Sequence, residues 1–122
     1  MIGYVTLGTN NKERAAKFYD ELLSTFGAKR VMEMDKLIAW STGPASPMLT
    51  IIKPAVGKSA TVGNGGMVAL AAIDKAQVDA TYAKAIALGA KDEGPAGPRG
   101  EGFYAGYFRD TDGNKLCVFF AG

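Results

Sequence analysis

Hydrophobic positions recur along this chain with two different periods, and the periods follow the same order in both halves. The run Ile2–Gly8 is apolar and β-branched, which predicts a strand. The stretch Lys12–Phe26 spaces its apolar residues three and four positions apart, which predicts an amphipathic helix that begins at Asn10 or Asn11. Three shorter runs that predict strands complete the first half: Lys29–Glu33, Leu37–Ser41 and Met48–Lys53.

The second half repeats this order of elements. Met67–Ala72 predicts a strand, and Lys75–Leu88 predicts a helix that Asp74 caps. Ala90–Asp92 predicts a short strand, after which the Gly- and Pro-rich stretch 94–102 predicts a flexible connection. Two further alternating runs predict the last pair of strands, at Phe103–Arg109 and Lys115–Phe120.

Both predicted helices end at the same short phrase, Gly-Ala-Lys, at residues 27–29 and again at residues 89–91. Self-similarity of this kind indicates a duplicated structural unit. We therefore predict an α+β protein of two tandem β-α-β-β-β modules within a single domain, 1–122. Module one spans about 1–56, a Gly- and Ser-rich linker about 57–66, and module two about 67–122. A unit of roughly 60 residues is marginal by itself, so we expect the modules to share a core.

Composition and charge indicate which partners and which compartment to expect, but they do not identify a chemical activity. The chain has 122 residues, of which 48% are hydrophobic, so it is able to form a real core. Its net charge is only +2 and no run of Lys or Arg forms a patch, which argues against nucleic acid as a partner. The lone cysteine, Cys117, has no partner for an internal disulfide, which favours the cytoplasm. No apolar run approaches the roughly 20 residues that cross a bilayer, so we expect no membrane partner.

Several phrases of the sequence together resemble the vicinal oxygen chelate superfamily, which contains glyoxalases, bleomycin-resistance proteins and extradiol dioxygenases. They are Tyr4-Val5-Thr6-Leu7-Gly8, Arg14-Ala15-Ala16-Lys17-Phe18-Tyr19, Phe26-Gly27, Val68-Ala69-Leu70-Ala71-Ala72 and Asp110-Thr111-Asp112-Gly113-Asn114. The resemblance covers essentially the whole chain. It implies that the two modules curl their sheets into a shared cup whose floor usually holds a divalent metal. It also implies that the metal ligands, typically His and Glu, lie on the opening and closing strands.

The four positions that match those ligands carry none of the usual donors. They are Tyr4 and Met67 on the opening strands and Thr50 and Cys117 on the closing strands, and the chain contains no histidine. Catalytic zinc, nickel or iron normally takes three His, Asp, Glu or Cys donors. We therefore expect no metal and no cofactor, and we interpret Cys117 as a buried, inert thiol rather than as a Cu(I) ligand with Met67.

Other residues are candidates for contacting a ligand in such a cup. Tyr4 offers a phenol, and Trp40 offers a flat wall with one N–H donor, although both residue types also serve in ordinary packing. Arg99 and Tyr104 lie in or beside the Gly-rich stretch, which the resemblance places at the pocket mouth as a lid. Together with the four floor positions, these form the predicted ligand-binding set: Tyr4, Trp40, Thr50, Met67, Arg99, Tyr104 and Cys117.

Three functions remain open on the sequence alone. The first is a metal-free protein that binds a small, partly apolar molecule in its cup. The second is a metal-independent lyase or isomerase that acts on a small carbonyl compound, with Glu101 as the general base and a tyrosine, Tyr4, as the acid. The third is a non-catalytic dimeric protein whose cup is filled by side chains. In each case the exposed sheet edges favour a homodimer.

Overall fold

The predicted duplication is present as two units of the chain. A computed structural model describes every residue from Met1 to Gly122. The chain divides into the units Met1–Val62 and Gly63–Gly122. Each unit contains one four-stranded sheet and one helix in the order β-α-β-β-β, which confirms the α+β class and the two tandem modules.

The first unit is formed by the elements β1 to β4 and α1. Their bounds are β1 Tyr4–Gly8, α1 Lys12–Ser24, β2 Lys29–Glu33, β3 Leu37–Ser41 and β4 Met48–Ile52. The strands lie in the order β1-β4-β3-β2. The first and last strands, β1 and β4, pair in parallel, whereas β3 pairs antiparallel with both β4 and β2.

The second unit repeats that topology. Its elements are β5 Val68–Ala71, α2 Lys75–Ala87, β6 Lys91–Pro98, β7 Phe103–Arg109 and β8 Lys115–Ala121. The strand order is β5-β8-β7-β6, with β5 parallel to β8. The registers are equivalent as well, because Val5 pairs with Leu49 in the first unit and Val68 pairs with Leu116 in the second.

Both helices begin at the predicted capping residues. Asn11 accepts a hydrogen bond from the Arg14 backbone N–H at 3.0 Å, and Asp74 accepts one from that of Gln77 at 2.7 Å. Such caps satisfy amides that have no partner within the helix. Neither helix combines the length and the apolar character that a membrane span requires.

Each sheet has one face covered by the helix of its own unit and one face turned away from that helix, here called the distal face. Successive strand residues point to opposite faces, so the register assigns every side chain to one of the two. In the first unit Ile51 lies on the helix face and Thr50 on the distal face. In the second unit Leu116 lies on the helix face and Cys117 on the distal face.

Trp40 is the largest buried side chain of the first unit, with 1% of its surface exposed. Its ring lies 5.7 Å from that of Tyr19 on α1, measured between centroids. Its indole N–H donates to the Asp20 carboxylate at 2.9 Å, and Arg30 binds the same carboxylate from β2. The Arg30 hydrogen bond is the main reason that the pKa of Asp20 falls below its ordinary value. Trp40 thus holds the helix to the sheet.

The main departure from the sequence prediction is β6, because residues 94–98 form strand rather than flexible connection. Gly94 pairs with Tyr107 and Gly97 with Ala105, with register shifts that bulge the strand at these glycines. β6 is the edge of its sheet, where a proline that lacks an N–H is tolerated. The Gly and Pro residues that predicted a flexible connection are therefore also compatible with a bulged edge strand.

Replacing Trp40 with phenylalanine should lower the free energy of unfolding by about 1–3 kcal/mol, because the smaller ring leaves a void and the Asp20 carboxylate loses its indole donor. Urea denaturation followed by circular dichroism measures the change. Tyr4→Phe is the control, because Tyr4 is 62% exposed, and it should shift the value by no more than about 0.5 kcal/mol. Equal effects of the two variants would contradict the packing role of Trp40.

Candidate functional site

The distal face of the first sheet carries two of the predicted floor residues. Tyr4 is 62% exposed at the start of β1, whereas Thr50 is buried on β4. Thr50 pairs with Thr6 across the parallel strands, and Tyr4 pairs with Met48. Thr6, which is not among the ligand-binding residues predicted from the sequence, therefore lies beside Thr50 on this face. Because side chains alternate along a strand, the position of Thr6 two residues after Tyr4 could have indicated that both lie on the same face.

The distal face of the second sheet carries the other two. Cys117 is 1% exposed and pairs with Ala69 on β5 and with Tyr107 on β7. Met67 immediately precedes β5 and is 47% exposed. Burial raises the pKa of the Cys117 thiol, which keeps the sulfur protonated.

Tyr107 lies at the centre of a group of side chains on this distal face. The Arg99 guanidinium carbon and the Lys115 ammonium nitrogen each lie 5.6 Å from the centroid of its ring. Such cation–π contacts are individually weak at exposed positions. Burial is the main cause of a raised Tyr107 pKa, with Cys117 as a further contributor. Tyr107, Arg99, Lys115 and Cys117 are here called the Tyr107 cluster.

Two other aromatic side chains extend the same face. Phe103 on β7 and Phe119 on β8 stack with their ring centroids 5.5 Å apart and their planes 20° from parallel. Both rings, and that of Tyr107, are partly exposed. The distal face therefore combines an apolar, aromatic part with two cationic groups.

Two glycines of β6 leave the space that the Arg99 side chain occupies. A Cβ atom at Gly94 would lie 3.3 Å from Arg99 Nη2, and one at Gly97 would lie 3.4 Å from Arg99 Nη1. The guanidinium donates to the Pro95 carbonyl at 2.6 Å and to the Pro98 carbonyl at 3.2 Å. Arg99 is thus folded back over the bare edge strand rather than placed at the tip of a lid.

Trp40 and Tyr104 do not lie on the ligand-binding face that the sequence predicts for them. Trp40 is on the helix face, with its ring against Tyr19 and its N–H on Asp20, so it provides no wall on the distal face. Tyr104 is also on the helix face, because its hydroxyl donates to Asp79 of α2 at 2.6 Å. Each lies an odd number of residues from a distal neighbour on its strand, and alternation puts it on the opposite face.

The expected general base, Glu101, lies exposed in the turn that joins β6 to β7. Catalytic acids and bases normally sit in concave sites from which water is at least partly excluded. An exposed turn does not provide that setting, so the geometry gives no support to Glu101 as a base.

Two surface grooves occur in the first unit, apart from the candidate residues. One has a volume of about 440 Å³ and lies beside the β3–β4 loop, with Val31, Ser46 and Met48 among its lining residues. The other, of about 280 Å³, has Lys36, Lys53 and Lys58 among its lining residues. Neither groove is lined by any residue of the predicted ligand-binding set.

Comparison with known protein families gives one decisive match. A sequence profile described as Glyoxalase/Bleomycin resistance protein/Dioxygenase superfamily matches residues 1–118. This chain belongs to that superfamily. The resemblance noted from the sequence is therefore confirmed.

Solved structures of the superfamily share the fold over nearly the whole chain. A glyoxalase/bleomycin resistance protein from Albidiferax ferrireducens T118 is 35% identical, with a TM-score of 0.92 over 100% of this chain and 99% of that one. A lactoylglutathione lyase from Agrobacterium tumefaciens is 25% identical, with a TM-score of 0.74 over 98% and 92%. A glyoxalase-related enzyme from Fulvimarina pelagi is 24% identical, with a TM-score of 0.79 over 98% and 87%. No curated protein matches the sequence.

The divalent metal that the superfamily implies does not fit the side chains at the four matched positions. They supply a phenol, a hydroxyl, a thioether and a buried thiol, from Tyr4, Thr50, Met67 and Cys117. Hard and borderline divalent ions prefer carboxylate or imidazole donors, and a thiol ligates as the thiolate. The structure groups no three His, Cys, Asp or Glu side chains in a way that could hold an ion. No reaction step is therefore assigned to a metal at these positions.

Cys117 should react slowly with alkylating agents in the folded protein. At about pH 8.5 an exposed thiol is roughly half ionised, but burial removes both access and thiolate character here. We expect iodoacetamide to modify the folded protein about a hundredfold or more slowly than protein unfolded in urea, because reaction requires local opening. Mass spectrometry measures both rates. Equal rates would show that the thiol is accessible and available as a ligand.

Gly94→Ala should destabilise the protein more than Gly97→Ala. Gly94 has φ of +149°, which a side chain disfavours, and its new Cβ would also lie 3.4 Å from Tyr107 Cδ2. We expect a loss of about 1–3 kcal/mol for Gly94→Ala, measured by urea denaturation. Gly97→Ala is the matched control, because Gly97 has no positive φ and its Cβ would lie no closer than 3.4 Å to Arg99 Nη1. Indistinguishable losses would contradict this account of β6.

Proposed function

We propose that this member of the superfamily binds a small, partly apolar molecule on the distal face of one of its sheets, and that it does so without a catalytic metal ion. The observation that carries the proposal is the donor set at the four matched positions, which suits a hydrogen-bonding and apolar surface better than a hard cation. A binding site for a small molecule is a concave surface lined mainly by apolar side chains, with a few placed polar groups.

The distal face of the second unit is the more suitable apolar surface for such a ligand. Phe103, Tyr107 and Phe119 are partly exposed there, and aromatic rings contribute a large contact area at low entropic cost. Arg99 and Lys115 add polar groups at the border of the aromatic surface.

Enzymatic activity is the weaker alternative. The Agrobacterium relative is named a lyase, but at 25% identity that activity is not extended to this chain. The metal-independent reaction expected from the sequence requires Glu101 as a base, and its exposed turn lacks the enclosure of a catalytic group. Binding requires no positioned general base, so we favour it.

We further propose that the protein is a cytoplasmic homodimer. All five residues of the edge strand β2 are exposed, and Val31 and Met32 present apolar side chains there, with 53% and 43% of their surfaces exposed. An exposed edge with apolar residues favours pairing with another copy. A single buried thiol, Cys117, is consistent with a reducing compartment.

Binding without a metal predicts a ligand response that chelators do not change. A thermal-shift screen of neutral and charged aromatic compounds should identify ligands that raise the melting temperature equally with and without EDTA, because a ligand of the native state stabilises it by mass action. For the best compound, Tyr107→Ala should weaken binding in calorimetry by roughly tenfold or more, since buried aromatic contacts dominate binding energy. Tyr104→Ala is the matched control on the helix face and should bind normally.

Two results would contradict the proposal. One is elemental analysis that finds about one zinc, nickel or iron per purified chain together with loss of binding in EDTA. The other is a folded Tyr107→Ala protein, checked by circular dichroism, that binds the compound as well as the wild type does.

A further inference from the structure

We infer that the ligand carries an anionic group, a carboxylate or a phosphate, and that Arg99 and Lys115 of the Tyr107 cluster hold it. This inference rests on the proposed function and specifies the class of molecule that is bound. It predicts an aromatic or apolar acid rather than a neutral or cationic compound.

The first reason is the local balance of charge. Two cations lie 5.6 Å from the centroid of one ring, and neither forms an ion pair with a carboxylate of the chain. The Glu93 carboxylate lies close enough to Lys115 for their charges to attract, but it forms its ion pair, at 2.5 Å, with Arg109 Nε. Like charges held near one ring repel each other, and a bound anion would relieve the repulsion. The cluster therefore has a net positive charge, and the carboxylate that neighbours Lys115 is already bound by Arg109.

The second reason is that Arg99 is held in place before a ligand arrives. Gly94 and Gly97 provide the space for its side chain, and the carbonyls of Pro95 and Pro98 accept two of its hydrogen bonds. A guanidinium has five N–H donors in a planar fork, so Nε–H and further Nη donors remain for a ligand. That fork matches the geometry of a carboxylate or a phosphate. Binding an anion then costs little side-chain ordering.

The third reason is the apolar surface beside the charges. The stacked rings of Phe103 and Phe119 lie on the same distal face as Tyr107, and buried Cys117 adds no charge. A molecule with an aromatic body and an acidic group would therefore place its apolar part on the rings and its anionic group at Arg99 and Lys115. Neither the aromatic rings nor the two cations alone would specify an aromatic acid, but the two features side by side on one face do.

The test uses probes that share one aromatic body and differ in charge: 1-naphthoate and 1-naphthyl phosphate as anions, 1-naphthamide as the neutral isostere and 1-naphthylmethylamine as the cation. Calorimetry on the 122-residue chain should show roughly tenfold or tighter binding of the anions than of the amide, because a hydrogen bond to a charged group is stronger than one between neutral groups. The preference should weaken with added salt, since the cations are partly exposed.

The variants Arg99→Gln and Lys115→Gln should each remove most of this preference while leaving amide binding nearly unchanged. Lys75→Gln is the matched control, because Lys75 Nζ lies 5.7 Å from the ring of Tyr104 on the helix face and its loss changes the net charge equally. That variant should retain the preference for anions.

The outcomes separate this inference from the proposed function. If anions and amide bind equally well, or if the cation binds best, the anionic ligand is wrong while the proposed function stands. A preference that survives in both glutamine variants also overturns the assignment to Arg99 and Lys115. If no probe binds the folded wild type, whether charged or neutral, the proposed function is contradicted together with the inference.

Discussion

The register of strand pairing within each unit decides which side chains a bound molecule would contact. Once β1 is aligned with β4 and β5 with β8, and β3 and β7 pair antiparallel with β4 and β8, the alternation of strand side chains assigns each side chain to one face. Trp40 and Tyr104 are committed to their helices, whereas Thr50, Tyr107 and Cys117 are turned away from them. The side chains available to a ligand are thus determined by the strand register as much as by the residue types.

The sequence predicted most elements because their signals are local. The helix caps Asn11 and Asp74 and nearly all strands follow from capping chemistry and from periodicity within a few residues. The assignment of side chains to faces failed at Trp40 and Tyr104, because periodicity gives the alternation but not which face packs on the helix. Tyr104 and Tyr107 are three apart, so the sequence did imply that only one of them is distal.

Strand β6 shows a different limit of prediction from sequence, because its conformation depends on residues far away in the chain. Gly and Pro disfavour strands on average, so residues 94–98 were expected to be irregular. Their conformation depends on distant partners, since Gly94 pairs with Tyr107 and Gly97 with Ala105 across the sheet edge. The contact of the Arg99 guanidinium with Gly94 and Gly97 depends in the same way on the folded strand, so the sequence did not predict it. Such tertiary effects override local propensity and are not visible in a single sequence.

The bare surface of β6 also has an evolutionary consequence. Residue 99 belongs to the turn after the strand, yet its side chain fills the space that two strand residues would otherwise occupy. Exchange of this one residue would alter the electrostatic character of the sheet without touching a single backbone pairing. A duplicated scaffold of this kind can therefore diverge in what it recognises by changing one codon while its architecture is inherited intact.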